Sequence, residues 1–341
     1  MIQMDRIRTE ASLEQWGILY EAATRIKERK PWEKFWDMDL IGIRYGAEED
    51  TVFFSILGRG GDCYGIVVYE GYEGLNSFLM LTMQERMNLS TQYAMSRQKN
   101  LTCYWGNRDE LTEKQRKIIK DLGYSYRGKN QWLYFMSFEP GYYPYNMDAT
   151  EVQRMSGYLQ DLELALQCYE ERNKKVDFEN GNMFLLTFSG DKKTWNFAEE
   201  PLPFTAFQFG NLIITDDELL ADLEQVPSCS VILEADIAVM GAKVTDKKYS
   251  RPANPSIVLL GDAESGTIIH FEMSEPDDDP VVMLAEIVLN FIFQYGIPKE
   301  IRVSNVIAEA ALEQICGICG SKLRRIKRLK GLDIFRESMS C

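Results

Sequence analysis

The chain has 341 residues, 45% of them hydrophobic, which is enough for two ordinary domains and too apolar for a disordered polymer. Its net charge of −14 is unevenly spread: residues 1–145 carry 19 basic and 20 acidic side chains, residues 146–341 carry 19 and 32. The acidic second half repels a phosphate backbone, which disfavours general nucleic-acid binding, and no run of 18 apolar residues offers a membrane span. Mixed charges in MIQMDRIRTE and seven irregularly spaced cysteines lead us to expect a cytosolic protein with reduced thiols.

In chain order, Leu13, Trp16, Tyr20, Ala23 and Ile26 predict an amphipathic helix that stops near Pro31. TVFFSILG and CYGIVVYEG flank a glycine turn and predict a hairpin. Gly58-Arg59-Gly60-Gly61 is not a phosphate loop, because Cys63 stands where the last glycine should be and no GK[ST] follows. Thr112–Gln115 predicts a capping box, QWLYFMSF a strand, and Pro140–Pro144 a domain boundary. Thr150–Gln153 predicts a second capping box, opening a helix with Val152, Met155, Leu159, Leu162 and Leu166 along one face. NMFLLTF and the Trp195 region read as strands, and Thr215–Glu218 caps a short helix.

From residue 229 the pattern is strand, strand, strand, helix, strand, helix. SVILEADIAVM is the first strand, and PSIVLLGD and TIIHFEMS form a hairpin. Asp279-Pro280 starts an apolar helix that Gly296 ends, EIRVS is a short strand, and Asn305 caps the next helix.

PSIVLLGDAESGTIIHFEMS followed by GIPKEIRVSN resembles the RNase H-like catalytic core of retroviral-type integrases and DDE transposases, over roughly residues 229–335. The resemblance implies a catalytic aspartate on the first strand, matched by Asp236, and a second after the fourth strand, where Ser304 stands instead. Asp262 matches the hairpin aspartate, and Glu309 or Glu313 would have to replace the third acid, with Glu337 in the tail. Two-metal hydrolysis needs several carboxylates, and a serine hydroxyl brings no charge. LEQWGILYEAATRIKERKPW and SILGRGGDCYGIVVYEGYEGL resemble the first domain of an uncharacterised bacterial two-domain family, over roughly residues 10–140.

The expected fold class is α+β / α/β: an α+β domain over 1–145, a helical connector with strands over 146–228, and a degenerate RNase H-like domain with a mixed, helix-flanked sheet over 229–341. The expected function is a cytosolic, non-catalytic binding or regulatory module with no cofactor, its partner an unknown protein or ligand. One alternative is a Mg- or Mn-dependent nuclease or phosphodiesterase using Asp236 and Asp262 as metal ligands, with Ser304 and Glu309 as further catalytic candidates. A second alternative is a polyanion-binding interaction protein using Lys322, Arg324, Arg325, Lys327 and Arg328. With no aromatic residues interleaved for stacking, those bases fit better a strand with Leu and Ile inward and charges outward that neutralises the domain's own acids. Cys316 and Cys319 lack further zinc ligands, His270 is the chain's single histidine, and the acidic loop Glu275–Asp279 reads as solvated.

Overall fold

A computed structural model describes residues 8–171, 176–190, 194–203 and 212–339. The first elements are α1 (Leu13–Arg29), β1 (Ile41–Arg44), β2 (Thr51–Leu57), β3 (Gly65–Glu70), α2 (Gly71–Met87) and α3 (Thr91–Ser96). There follow β4 (Asn100–Gly106), α4 (Glu113–Asp121), β5 (Trp132–Phe138), α5 (Ala149–Glu171), β6 (Asn182–Ser189) and β7 (Thr194–Pro201). The remaining elements are α6 (Asp217–Gln225), β8 (Ile232–Val239), β9 (Ser256–Asp262), β10 (Ile268–Met273), α7 (Pro280–Tyr295), β11 (Glu300–Val303), α8 (Val306–Cys319), β12 (Lys322–Arg325) and α9 (Lys330–Met339). Both halves mix helices with mixed sheets, as the α+β reading expects.

The chain divides into two compact units. The first takes the chain up to Phe78, Gln98–Glu139, and Pro144 through β7. Its sheet runs β5-β4-β3-β2-β1-β6-β7, antiparallel except where β6 lies parallel to β1. One core gathers Trp16, Leu19, Tyr20 and Ile26 of α1, Val152, Met155, Leu159 and Leu162 of α5, and Ile41, Phe54, Ile66 and Phe135 of the sheet. Each of these large side chains contributes about 1.5–3 kcal/mol by leaving water. Ser12 and Gln15 form the capping box of α1, and Thr112 and Gln115 that of α4. The box expected at Thr150 and Gln153 sits two residues earlier: Asp148 Oδ1 accepts the Glu151 N–H, and Glu151 Oε2 accepts the Asp148 N–H. Arg8 then bonds Glu151 at 2.8 Å, which compensates the burial of that carboxylate.

The expected break at 145 and the separate connector over 146–228 differ from this division. Strand β6 zips onto β1, with Ile41 opposite Phe184, and α5 packs on α1, so both complete the first unit. Conversely, Leu79–Arg97 and Pro140–Tyr143 belong to the second unit. The stretch Pro140–Pro144 is therefore a place where the chain changes units and returns, and α2 contains another such change.

The second unit holds a five-stranded sheet in the order β10-β9-β8-β11-β12. Strands β8, β9 and β10 are antiparallel neighbours, whereas β11 is parallel to β8 and β12 to β11. Leu233, Ala235, Ile237, Val258 and Leu260 point to one face, packed with Leu284, Val288 and Ile292 of α7 and Ala308, Leu312 and Ile315 of α8. Ile257 and Leu259 point to the other face, against Leu332 and Phe335 of α9. Asp279 caps α7 and Asn305 caps α8 as expected, while the short helix α6 is capped by Asp216. Gly296 ends α7 with φ 104°, and a Cβ there would lie 2.7 Å from the Pro227 carbonyl, so no other residue fits without a shift. No helix among the described residues is long and apolar enough to cross a membrane.

Candidate functional site

Strand β8 is central, and side chains alternate along it, so Glu234 and Asp236 share the α9 face while Leu233, Ala235 and Ile237 fill the α7–α8 core. Both carboxylates are 2% exposed. A buried carboxylate is costly unless hydrogen-bonded. Glu234 Oε2 accepts the N–H groups of Gly331 at 2.9 Å and Leu332 at 3.2 Å. It thus caps the N-terminus of α9 from a neighbouring strand, where the helix dipole favours negative charge.

Asp236 is held differently. Ser304 Oγ donates to its Oδ2 at 2.8 Å, and Asn305 Nδ2 donates to its Oδ1 at 2.8 Å. Parallel pairing of β11 with β8 sets this, since Arg302 lies opposite Glu234 and the chain then carries Ser304 alongside Asp236. Asn305 has two roles: its Oδ1 also accepts the N–H groups of Ile307 and Ala308, both at 3.0 Å, at the start of α8. The Ser304 carbonyl accepts from Asn88 Nδ2 at 2.6 Å, which ties in the segment between α2 and α3.

Above this cluster lies a cavity of about 290 Å³. Its polar lining includes Asn88, Ser90, Gln92, Asp236, Ser304 and Lys327, and Tyr93 adds an aromatic wall. Residues 236–239 form the second half of β8, past its pairing with β11, and residues 304–305 and 327 lie beyond the carboxyl ends of β11 and β12. The chain leaves β8 toward β9 on one side and later returns to β11 on the other. In open parallel α/β sheets ligands sit in the crevice outside the carboxyl ends at a switch in strand order, and the parallel part of this sheet, β8-β11-β12, presents the cavity in the corresponding place.

The other candidates do not join Asp236. Asp262 lies opposite Leu233, three residues along the ladder, where alternation turns it to the other face from Asp236. Its Oδ1 accepts the N–H groups of Glu264 and Ser265 and the Ser265 hydroxyl, which hold its carboxyl below the ordinary range and close the hairpin turn. Glu309 is on α8, across the sheet from Asp236, and pairs with Arg325 at 3.0 Å. Glu337's side chain lies outside the described residues. Among those residues, no three His, Cys, Asp or Glu side chains come together as a metal site would need. Among the described residues, the ligand atoms gathered at Asp236 are one carboxylate with a hydroxyl and an amide, which do not fit the two-metal centre that the integrase resemblance implies.

The first four residues of the basic stretch form edge strand β12, and four of its bases lie within 4.0 Å of carboxylates of the same unit, Glu300 being shared. Glu300 pairs with Arg302 at 2.7 Å, Lys322 at 3.6 Å and Arg324 at 4.0 Å, and Arg328 pairs with Asp333 at 3.4 Å. Lys327 enters none of these pairs and lines the cavity. Cys316 and Cys319 pack in the α7–α8 core as free thiols.

Sequence reasoning missed Glu234, the second role of Asn305 and the whole Asn88–Tyr93 wall. The signal for the first was present: Glu-x-Asp on an otherwise apolar strand puts two carboxylates on one face. The wall comes from a segment distant in sequence, and nothing local marks it.

No curated protein matches the chain. Residues 219–340 match a family model described as Domain of unknown function (DUF6930), which spans the second sheet and the cavity residues from Asp236 onward. Residues 16–186, half of the chain, match another, and the chain belongs to that family, Domain of unknown function (DUF7309), with the second domain following it.

Proposed function

We propose that this protein is a non-catalytic binding module, whose second unit is an RNase H-like domain with a single hydrogen-bonded carboxylate where the integrase-type enzymes hold metal. One observation carries the reading: both oxygens of Asp236 accept hydrogen bonds from uncharged groups, Ser304 Oγ and Asn305 Nδ2. The order of elements supports it, because the strand bearing Asp236 is followed by a hairpin, a helix and a parallel strand leading to residue 304. The ligand site is the cavity at the carboxyl ends of β8, β11 and β12. With Asp236 and Lys327 both in its lining, it suits a small polar molecule that offers a hydrogen-bond donor to one and an anionic group to the other.

Two experiments test this. Labelled single- and double-stranded DNA and RNA, incubated with the wild type in millimolar Mg²⁺ or Mn²⁺, should stay intact to the same degree as with Asp236→Asn. Cleavage that the wild type performs and Asp236→Asn does not would overturn the non-catalytic reading. Amide shifts of the labelled protein, titrated with a library of small polar and zwitterionic fragments, should move at Ser90–Tyr93, Ala238–Met240 and Ser304–Asn305. A library that moves none of them would remove the cavity as the ligand site.

A further inference from the structure

Strand β10 forms one edge of the second sheet, and its α9 face carries none of the charged or proline residues that usually protect such an edge. Phe271 is 60% exposed and Met273 is 54% exposed, and Ile269 beside them is partly exposed. By their pairing with Leu259 and Ile257, Phe271 and Met273 stand on the α9 face, where Phe271 meets the ring of Phe335 at 6.0 Å. Ile334 of α9 is also exposed. His270 and Glu272, opposite Leu260 and Val258, stand on the other face, their side chains about half exposed.

The backbone of this edge has a definite phase. The Ser274 N–H bonds the Ser256 carbonyl, so Ser274 faces β9, and alternation turns Glu272 and His270 toward β9 as well. Phe271 and Met273 consequently direct their N–H and C=O groups outward, away from the sheet. An antiparallel partner with a two-fold axis at Phe271 would exchange both bonds between the two Phe271 residues. The same axis brings His270 opposite Glu272 of the other copy and Glu272 opposite its His270, in the non-hydrogen-bonded positions where side chains approach most closely. The segment Ile-His-Phe-Glu-Met is thus complementary to itself in hydrogen-bonding groups, imidazole to carboxylate, in apolar surface and in backbone phase.

We infer that β10 pairs with β10 of a second copy of this chain, antiparallel about Phe271, joining two five-stranded sheets into one. The occupant is the same chain because the edge complements its own sequence: the imidazole finds a carboxylate and the apolar residues find one another. An isologous contact of this kind closes on itself and gives a dimer, not a fibre. The inference stands apart from the Asp236 site, which lies on a different strand.

Sedimentation velocity over a range from about 1 to 100 μM tests it, with far-UV circular dichroism to show that each variant is folded. The wild type should pass from monomer to dimer as concentration rises, and Phe271→Lys should stay monomeric. His270→Glu and Glu272→Arg each replace unlike pairs by repelling or mismatched ones, and each should weaken association by about tenfold. The double variant His270→Glu/Glu272→Arg restores unlike pairs across the axis and should recover the wild-type dimer. A wild type that is monomeric throughout would overturn the inference, as would a dimer indifferent to Phe271→Lys. Loss of the dimer in the single-charge variants without recovery in the double variant would overturn the register.

Discussion

Asn305 allows the hydrogen bond to Asp236 to be separated from helix capping. Its Oδ1 caps α8 through Ile307 and Ala308, while its Nδ2 donates to Asp236. Asn305→Ser keeps a good capping oxygen but loses the donor to a buried carboxylate, a loss of about 1.5–3 kcal/mol. Asn305→Ala loses both, adding about 1 kcal/mol for the cap. Asn305→Asp keeps the cap but sets a second carboxylate against Asp236. Two unit charges about 4 Å apart repel by about 4 kcal/mol at an effective dielectric constant of 20, and acid should relieve this as one group gains a proton. Urea titration followed by far-UV circular dichroism reads the series. Tryptophan fluorescence serves as an internal reference, because Trp16, Trp32, Trp36, Trp105, Trp132 and Trp195 all lie in the first unit. The expected order of stability at pH 7 is wild type, Ser, Ala, with Asp regaining stability as pH falls. A serine variant as stable as the wild type would refute the claim that Asp236 depends on this amide.

Three further outcomes follow from the same geometry. Glu234→Gln weakens the anionic cap of α9, so the amides of Gly331 and Leu332 should exchange with solvent faster, at a cost of about 1 kcal/mol; unchanged exchange would contradict the capping role. The Glu300 carboxyl is held below the ordinary range chiefly by its hydrogen bond from Arg302, with Lys322 and Arg324 adding to it. Because the folded value is depressed, its contribution is present above the unfolded carboxylate pKa and is lost as pH falls through the folded value. Glu300→Gln should therefore be less stable than the wild type at pH 7 and equal to it in strong acid, as followed by urea midpoint against pH. Burial, with a smaller effect from Cys319, pushes the Cys316 thiol up to about 12, whereas Cys63 is exposed. An aromatic disulfide reagent at pH 8 should label the folded wild type one thiol more, in its fast phase, than Cys63→Ser, and leave Cys316 untouched until urea is added.

Much of the second unit was legible because its local signals agree. Asp279-Pro280 opens α7, Gly296 closes it, Asn305 opens α8, and the apolar runs of β8, β9 and β10, bounded by turn residues, carry the sheet. The place of Asp236 was legible too, but its bonds to Ser304 and Asn305 arise only when β11 pairs beside β8. Helix α2 escaped notice because Gly71 and Gly74 fall in its first turn, where helix propensity argues for a turn. Close packing explains the second glycine: a Cβ on Gly74 would lie 2.9 Å from the Tyr69 backbone. The division into units was illegible for a different reason. β6 pairs with β1 across more than a hundred residues of sequence, and no composition change marks where the chain leaves one unit and re-enters it.

The most direct test of the account is a calorimetric titration of Mn²⁺ into the wild type, Asp236→Asn and Ser304→Asp. The wild type and Asp236→Asn should give the same weak heats, since one carboxylate with a hydroxyl and an amide beside it offers Mn²⁺ too little charge. Ser304→Asp, which sets a second carboxylate beside the first, should gain a site that Asp236→Asn abolishes when added to it. At a hundred times its dissociation constant, Mn²⁺ should then stabilise that variant by about 2.7 kcal/mol. Stoichiometric Mn²⁺ binding by the wild type, lost in Asp236→Asn, would contradict the account and restore a metal to the centre of this site.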